Sequence, residues 1–471
     1  MAKIIGGVTA TPVNLKKVKE LENAGLTILK TDDYSHAFCD EDGNVAVAIS
    51  NEGELLYACK GSAPVAYKQN GNYDAEINMF ICYGQSWSMG YDAHAITTAP
   101  RYDNLMLDTG IVTNPIDVLT AEATSFVPAV ERTLSDPLVG ETPVTAQMHT
   151  VKQLMESEDG LTVNDLSYQL LGTAPGMGNM TLAQLSKGTD YYNRLISQVQ
   201  QAHDIASAMG KRLVVQAFSW AQWGLGSGLS GTYAENLEKL RSDIDTDVKA
   251  ITGQTHDVKC ITWQAFFYAD TLRAKQIYDQ FVGAAETYPH IVCAGATYHL
   301  DRVTASNAHF TSDSQDWLGA YFGVAYKRAV IDGDGFEPLK PTKASHSGKI
   351  LYVKFNVPQR PLVFDTERLT EAPNKGFKLY AADDTEKTIT DVAIISPDTV
   401  KIVCADDVLS TDRLTYGDIT TDGTIQELRN NHGNLRDSQG GYIQYESGTG
   451  TTLPLHNWCV IFDKTVAELE V

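Results

Sequence analysis

From Ile77 to about residue 337 the chain alternates short, almost wholly apolar runs with long helical patterns. Ile77-Asn78-Met79-Phe80-Ile81-Cys82-Tyr83 is such a run, and it stops at Gly84. Leu213 to Phe218, Val258 to Phe266 and Ile291 to Ala296 are of the same kind. A strand with no polar face has nothing to offer water, so these runs predict strands buried on both sides. Helical periodicity spans Tyr191 to Met209, Ala234 to Ile251, Ala269 to Tyr288 and Ser314 to Ile331. Gly210, Gly253, Pro289 and Gly333 stand where these patterns end, as helix stops should. Strands alternating with helices predict an α/β domain, its mostly parallel sheet covered on both faces.

The flanks read differently. Residues 1–76 form an expected N-terminal module with a polar helix from Asn14 to Ala24. Asp40-Glu41-Asp42-Gly43-Asn44 and Ser50-Asn51-Glu52-Gly53-Glu54 each lead into a strand-like run, a short repeat that predicts consecutive β-hairpins. Asp40, Asp42 and Asn44 are spaced like calcium ligands, but the glutamate at the twelfth loop position is missing, which favours a plain turn. Residues 338–471 carry short strand-like runs separated by turn residues, and predict a C-terminal β-sandwich. Three domains suit a chain of 471 residues.

Bulk properties exclude some functions. A net charge of −22 opposes binding to nucleic acid, whose affinity rests on Lys and Arg at phosphates. No run of about 18 apolar residues exists to span a bilayer. The opening Met1-Ala2-Lys3-Ile4-Ile5-Gly6-Gly7 lacks the apolar core of a secretory signal, so synthesis and assembly in a cytoplasm are expected. The 7 cysteines are widely spaced, without a C-x-x-C pair, and read as buried reduced thiols rather than disulfides or a zinc site. Neither a metal nor an organic cofactor is expected: no phosphate loop and no H-E-x-x-H helix occurs.

The first buried strand delivers Gly84-Gln85-Ser86-Trp87-Ser88-Met89-Gly90. A serine directly after a strand, between glycines, can sit on a tight strand-to-helix turn at the carboxyl end of the sheet, where open α/β sheets bind ligands. Position 88 is Ser, so this is not the G-x-S-x-G elbow. Ala308-His309-Phe310-Thr311 lies just before the domain's last helix, placing a histidine at the same edge. Ser86 as nucleophile and His309 as base is therefore the expected pairing. Trp87 and Tyr91 flank the serine block, and Trp220 and Trp223 flank Gln222 in a third candidate block. They are candidates for stacking on a sugar, with core packing as the alternative.

Together the two blocks resemble those of SGNH (GDSL-like) hydrolases, and more narrowly the sialate O-acetylesterase-like carbohydrate esterases, whose first block reads Gly-Gln-Ser. Tyr102-Asp103-Asn104-Leu105-Met106, Gly172-Thr173-Ala174-Pro175-Gly176-Met177-Gly178 and Leu185-Ser186-Lys187-Gly188-Thr189 resemble SGNH domains carried on bacteriophage tail proteins. Gly433-Asn434-Leu435-Arg436-Asp437-Ser438 and Asn457-Trp458-Cys459 resemble their appended β-domain. The resemblance implies a three-layer α/β/α esterase domain over residues 77–337. It also implies Ser86 attacking an ester carbonyl and His309 moving the proton. The oxyanion would be held by the N–H of Ser86 or a neighbour, by Gly110 and by the Gln222 amide. Gln222 stands in Ser219-Trp220-Ala221-Gln222-Trp223-Gly224, one residue out of register with the family's Trp-x-Gln-Gly-Glu and without its glutamate.

The family's acid stands three residues before the histidine, and here that position is Ser306. Three arrangements stay open: Asp301 or Asp313 substitutes, a Ser-His dyad suffices, or the cleft only binds. The resemblance implies a serine esterase that removes O-acetyl groups from a bacterial surface polysaccharide. Placement on a phage tail fibre or tailspike would reconcile an extracellular substrate with the lack of an export signal. Other virion proteins would then be partners, and a homotrimer would be the expected assembly. The competing readings are an inactive glycan-binding module of a virion and a bacterial cytoplasmic carbohydrate esterase.

Overall fold

The computed structural model describes residues 77–113, 121–163, 169–222, 228–265, 274–304, 307–418 and 432–470 in full, and residues 27–31, 34–39, 45–50 and 55–57 by backbone. The expected helix at Asn14, the Asp40 turn, Trp223 and Ser306 lie outside the described residues. Two compact units divide the chain: residues 1–74 with 152–167, and residues 75–151 with 168–471. In the first, Thr27–Thr31, Tyr34–Cys39, Val45–Ser50 and Leu55–Tyr57 form an antiparallel sheet in chain order.

The second unit is built on a seven-stranded sheet. Its strands are β1 (Ile77–Gly84), β2 (Leu105–Leu107), β3 (Phe126–Pro128), β4 (Gln169–Thr173), β5 (Leu213–Ala221), β6 (Lys259–Gln264) and β7 (Ile291–Ala296). Their spatial order is β7-β6-β5-β1-β4-β2-β3. Every neighbouring pair is parallel except β2 with β3. β1 is central, and each of its residues is buried, as is each residue of β5 beside it. Even Asn78 is satisfied within the sheet, its Oδ1 accepting from Gln216 Nε2 at 2.9 Å.

The helices are α1 (Pro143–Asp159), α2 (Asp190–Ala208), α3 (Tyr233–Thr252), α4 (Ala274–Thr287) and α5 (Ser312–Tyr326). Caps fix their starts. Thr189 Oγ accepts from Tyr192 N ahead of α2, Thr232 and Glu235 form a capping box on α3, and Thr311 Oγ accepts from Ser314 N on α5. Gly253 ends α3 at φ 69°. α5 is buried from Ser314 to Tyr326, packed on β6 and β7 with α1 pressed close against it. A Cβ on Gly319 would lie 2.2 Å from Pro143 O, and one on Gly323 would lie 2.6 Å from Thr150 Cβ. No helix among the described residues is long and apolar enough to cross a membrane. Cys82, Cys260, Cys293, Cys404 and Cys459 are free and buried.

Two features depart from the sequence expectation. Strands β2, β3 and β4 and helix α1 were not expected. β2 to β4 are too short to show a period, and α1 buries Thr145, Gln147, His149 and Thr150, which erases its apolar stripe. The region after residue 337 is β-rich as expected, with two four-stranded antiparallel sheets, but it belongs to the same compact unit as the α/β fold. Gln264, fully buried at the end of β6, donates Nε2–H to Ile461 O at 2.8 Å and accepts from Ile461 N at 2.6 Å. Tyr298 Oη donates to Cys459 O, and Trp317 Nε1 and Tyr321 Oη on α5 donate to Pro454 O and His456 O.

β1 ends where the main chain of β5 leaves no room. Gly84 has φ 144°, and a Cβ there would sit 2.3 Å from Ala221 O. Gly84→Ala is expected to destabilise the fold by at least about 2 kcal/mol, from the forbidden backbone angle and the clash together. Urea denaturation of the variant checks this; a midpoint equal to wild type would count against the close β1–β5 approach.

Candidate active site

The turn after β1 is fixed at both ends. Gln85 N donates to Ala221 O at 3.1 Å, and the 3₁₀ turn Ser86–Met89 closes at Gly90, φ 67°. A Cβ on Gly90 would fall 1.9 Å from Glu141 O, so only glycine fits. Ser88 Oγ turns back to donate to Gln85 O at 2.7 Å, leaving Ser86 as the turn's other hydroxyl. Tyr91 N donates to Ser86 O at 3.1 Å. Asp92 then adopts φ 60°, a left-handed conformation that Asp tolerates better than most residues, and its N–H donates to Leu138 O.

That kink aims Asp92 at the far block. Asp92 Oδ2 lies 2.7 Å from His309 Nδ1 and 2.8 Å from Asn307 Nδ2. The Asn307 hydrogen bond, then the His309 one, hold the Asp92 carboxyl below its ordinary range. An ionised carboxylate only accepts, so the ring must donate through Nδ1, which makes Nε2 the basic nitrogen. The two blocks are also joined beside the serine: Trp87 Nε1 donates to Ala308 O at 3.2 Å. Arg302 Nη1 donates to the same carbonyl at 2.8 Å while its guanidinium lies over the Phe310 ring. The His309 ring has Trp87 and Tyr91 as ring neighbours, with centroids 6.0 and 5.8 Å away. Among the described residues no hydrogen bond joins Ser86 Oγ to His309; such bonds are often long before substrate arrives.

The carboxylate at the imidazole is thus one that sequence reasoning passed over. Asp301 is turned away, its Oδ2 paired with Arg368 Nη2 at 2.7 Å. Asp313 Oδ1 accepts from Ser447 and Thr449 hydroxyls, both at 2.7 Å. The available signal for Asp92 was its place six residues after Ser86, on the same loop. A family spacing that put the acid beside the histidine drew attention elsewhere.

The other expected residues fare unevenly. The Gly110 N–H is occupied, donating to Leu107 O at 2.9 Å, so it has no proton left for an oxyanion. Gln222 is buried and committed on both sides: Nε2 donates to Met180 O at 3.0 Å, and Oε1 accepts from Tyr233 Oη at 2.6 Å. Trp87 and Trp220 are core residues, 2% and 0% exposed, and offer no face to a sugar. Trp220 Nε1 spends its proton on Tyr233 Oη.

A different loop lines the serine turn. Met177 N donates to Gly84 O at 3.0 Å. A Cβ on Gly176 would lie 2.1 Å from Ser88 Oγ, and one on Gly178 would lie 2.7 Å from the Tyr91 ring. Buried Arg194 on α2 holds this loop from below, donating to Pro175 O through Nε at 3.0 Å and Nη2 at 2.8 Å, and to Gly176 O. The Ser86 and Gly178 N–H groups make no backbone hydrogen bond among the described residues.

No family model matches this sequence, and no curated protein matches it. Solved structures similar to the chain include XAC1771, a carbohydrate acetylesterase from Xanthomonas citri, at 14% identity and TM-score 0.49, covering 93% of this chain and 86% of that one. NanS is similar at 11% identity and TM-score 0.32, over 46% and 78% of the two chains. Est24, a carbohydrate acetylesterase from Sinorhizobium meliloti, is similar at 12% and 0.28, over 54% and 99%. Likenesses of this size carry no argument about activity.

The depressed Asp92 carboxyl has a thermodynamic consequence. A carboxyl whose folded value is lowered stabilises the fold above the ordinary carboxylate range, and that contribution disappears as pH falls through the lowered value. Asp92→Asn should therefore be less stable than wild type near neutral pH, with the gap closing below about pH 4. Denaturation midpoints at both pH values check it; a gap that persists in acid would mean the bond is not ionic.

Proposed function

We propose that this chain is a serine esterase whose triad is Ser86, His309 and Asp92. The observation that carries the reading is the Asp92–His309 Nδ1 hydrogen bond of 2.7 Å, made by a carboxylate on the nucleophile's own loop. In this reading Ser86 Oγ attacks the ester carbonyl carbon as His309 Nε2 takes its proton. Asp92 stabilises the imidazolium so formed. The tetrahedral intermediate collapses, its C–O bond to the alcohol breaks, and His309 returns the proton to the leaving oxygen. Water then attacks the acyl-serine as His309 takes its proton, the acyl carbon–Oγ bond breaks, His309 returns the proton to Ser86 Oγ, and the carboxylic acid leaves. The Ser86 and Gly178 N–H groups are the candidate oxyanion donors, in place of Gly110 and Gln222.

The substrate class we infer is an O-acetylated bacterial surface carbohydrate, met by a phage tail fibre or tailspike. It rests on the resemblance of the Gly84-Gln85-Ser86 block and the tail-protein stretches, since Trp87 and Trp220 lend no stacking surface. The three-layer SGNH architecture, tail-protein partners and a homotrimer belong to the same reading. The inactive binding module took its motive from Ser306, and a carboxylate already on His309 removes that motive.

Hydrolysis of 4-nitrophenyl acetate tests the reading. Ser86→Ala and His309→Ala are expected to fall to the buffer rate. Asp92→Asn should lose about 10³- to 10⁴-fold in kcat, the scale seen when a triad acid is neutralised. Asp301→Asn should stay within about threefold of wild type, because its partner is Arg368. If Asp301→Asn is the crippled variant and Asp92→Asn is not, the triad is misassigned. Folded wild type no faster than Ser86→Ala would end the esterase reading for this ester.

A further inference from the structure

We infer that Asn307 is a positioning residue that sets both the place of His309 and the charge that Asp92 presents to it; this rests on the esterase reading above. Asn307 holds the two ends of the acid–base pair with one side chain. Its Nδ2 donates to Asp92 Oδ2 at 2.8 Å, on the same oxygen that His309 Nδ1 reaches at 2.7 Å. Its Oδ1 accepts from the His309 backbone N–H, also at 2.8 Å. The amide therefore ties the main chain of the base to the carboxylate that orients the ring, closing a small cycle of three hydrogen bonds.

The surroundings show why such a tie is needed. Asp92 is 39% exposed at the side chain, so water competes for its oxygens. The loop before His309 is held by main-chain bonds of its own, Asn307 N donating to Thr304 O at 3.1 Å and Val303 N to His309 O at 3.0 Å, and none of them reaches Asp92. On the other side, Ala308 O is fixed by Trp87 and Arg302. Asn307 thus supplies the constraint on the solvent side of a loop already pinned on the buried side. The groups facing Asp92 are the His309 ring and the Asn307 amide, with the neighbouring Tyr91 phenol close enough to feel the Asp92 charge and its ring 5.8 Å from the His309 ring.

A donor on Oδ2 also takes up part of the charge that Asp92 would otherwise give to the imidazolium. Without Asn307, Asp92 pulls harder on the ring proton, and the acid limb of the kcat/KM profile moves to higher pH. At the same time the ring loses its fixed position, and kcat falls.

The experiment uses the full chain with 4-nitrophenyl acetate and compares wild type with Asn307→Ala and Asn307→Asp across pH. Asn307→Ala is expected to lower kcat about ten- to a hundredfold with KM within about twofold, and to shift the acid limb upward. Asn307→Asp keeps the shape and the acceptor for His309 N but sets a second carboxyl against Asp92. It should be the weaker enzyme near neutrality, with its acid limb moved further upward than in Asn307→Ala, because two carboxylates then hold the ring proton. An Asn307→Ala enzyme equal to wild type overturns the proposal, as does an equal loss in both variants at every pH with the limb unmoved. Should wild type prove no better than Ser86→Ala, the esterase reading fails and the low-field proton NMR signal of His309 Nδ1–H decides. Its loss or upfield movement in Asn307→Ala upholds the clamp, and an unchanged signal overturns it.

Discussion

A single charged hydrogen bond, from His309 Nδ1 to Asp92 Oδ2, gives the rest of the site its meaning. The partners stand 217 residues apart in the chain, and the intervening sheet exists between them. β1 must end at the right level for the serine turn to form, Gly84 and Gly90 must let the neighbouring main chain pass, and Asp92 must accept a left-handed backbone. From the other direction α5 must start at Thr311 for the His309 loop to reach back. Each requirement costs conformational freedom, and the packed parallel sheet supplies the rigidity that meets it.

The location of the acid changes how the site is divided among the elements. Where acid and base share a loop, one segment orients the ring and another carries the nucleophile. Here Ser86 and Asp92 leave β1 together, and His309 arrives alone. The loop before His309 is thereby relieved of supplying a carboxylate; Asp301 spends its charge on Arg368, whose guanidinium also reaches His299 O. Asp313 likewise serves the β-rich region, through Ser447 and Thr449.

Long apolar runs were the legible part of the fold. β1, β5, β6 and β7 announce themselves because a strand buried on two sides has no polar alternation to blur it, and α2, α3 and α4 because one face stays wet. α1 was silent for the opposite reason: Thr145 and Gln147 are buried but bonded, to Glu131 and Ser219, so its inner face reads as polar. Ser86 and His309 stand out in the sequence because a serine after a strand and a histidine before a last helix are local patterns. Asp92 shows no such pattern, since its bond to His309 depends on a backbone angle and on a partner far along the chain. Gly110 and Gln222 were chosen by family position, and the hydrogen bonds that occupy them are invisible in sequence.

The Gln264–Ile461 pair has a consequence in time as well as in space. Gln264 sits at the end of β6, one strand in from the sheet's edge, and its amide has no access to water. Until Ile461 arrives, that amide is either solvated, which keeps the sheet's edge open, or buried unsatisfied, at a cost of about 1 to 3 kcal/mol. A ribosome must add nearly two hundred residues between the two. Closing the α/β half before the β-rich half exists therefore carries that cost, and the arrival of Ile461 removes it, which couples the stability of the two halves.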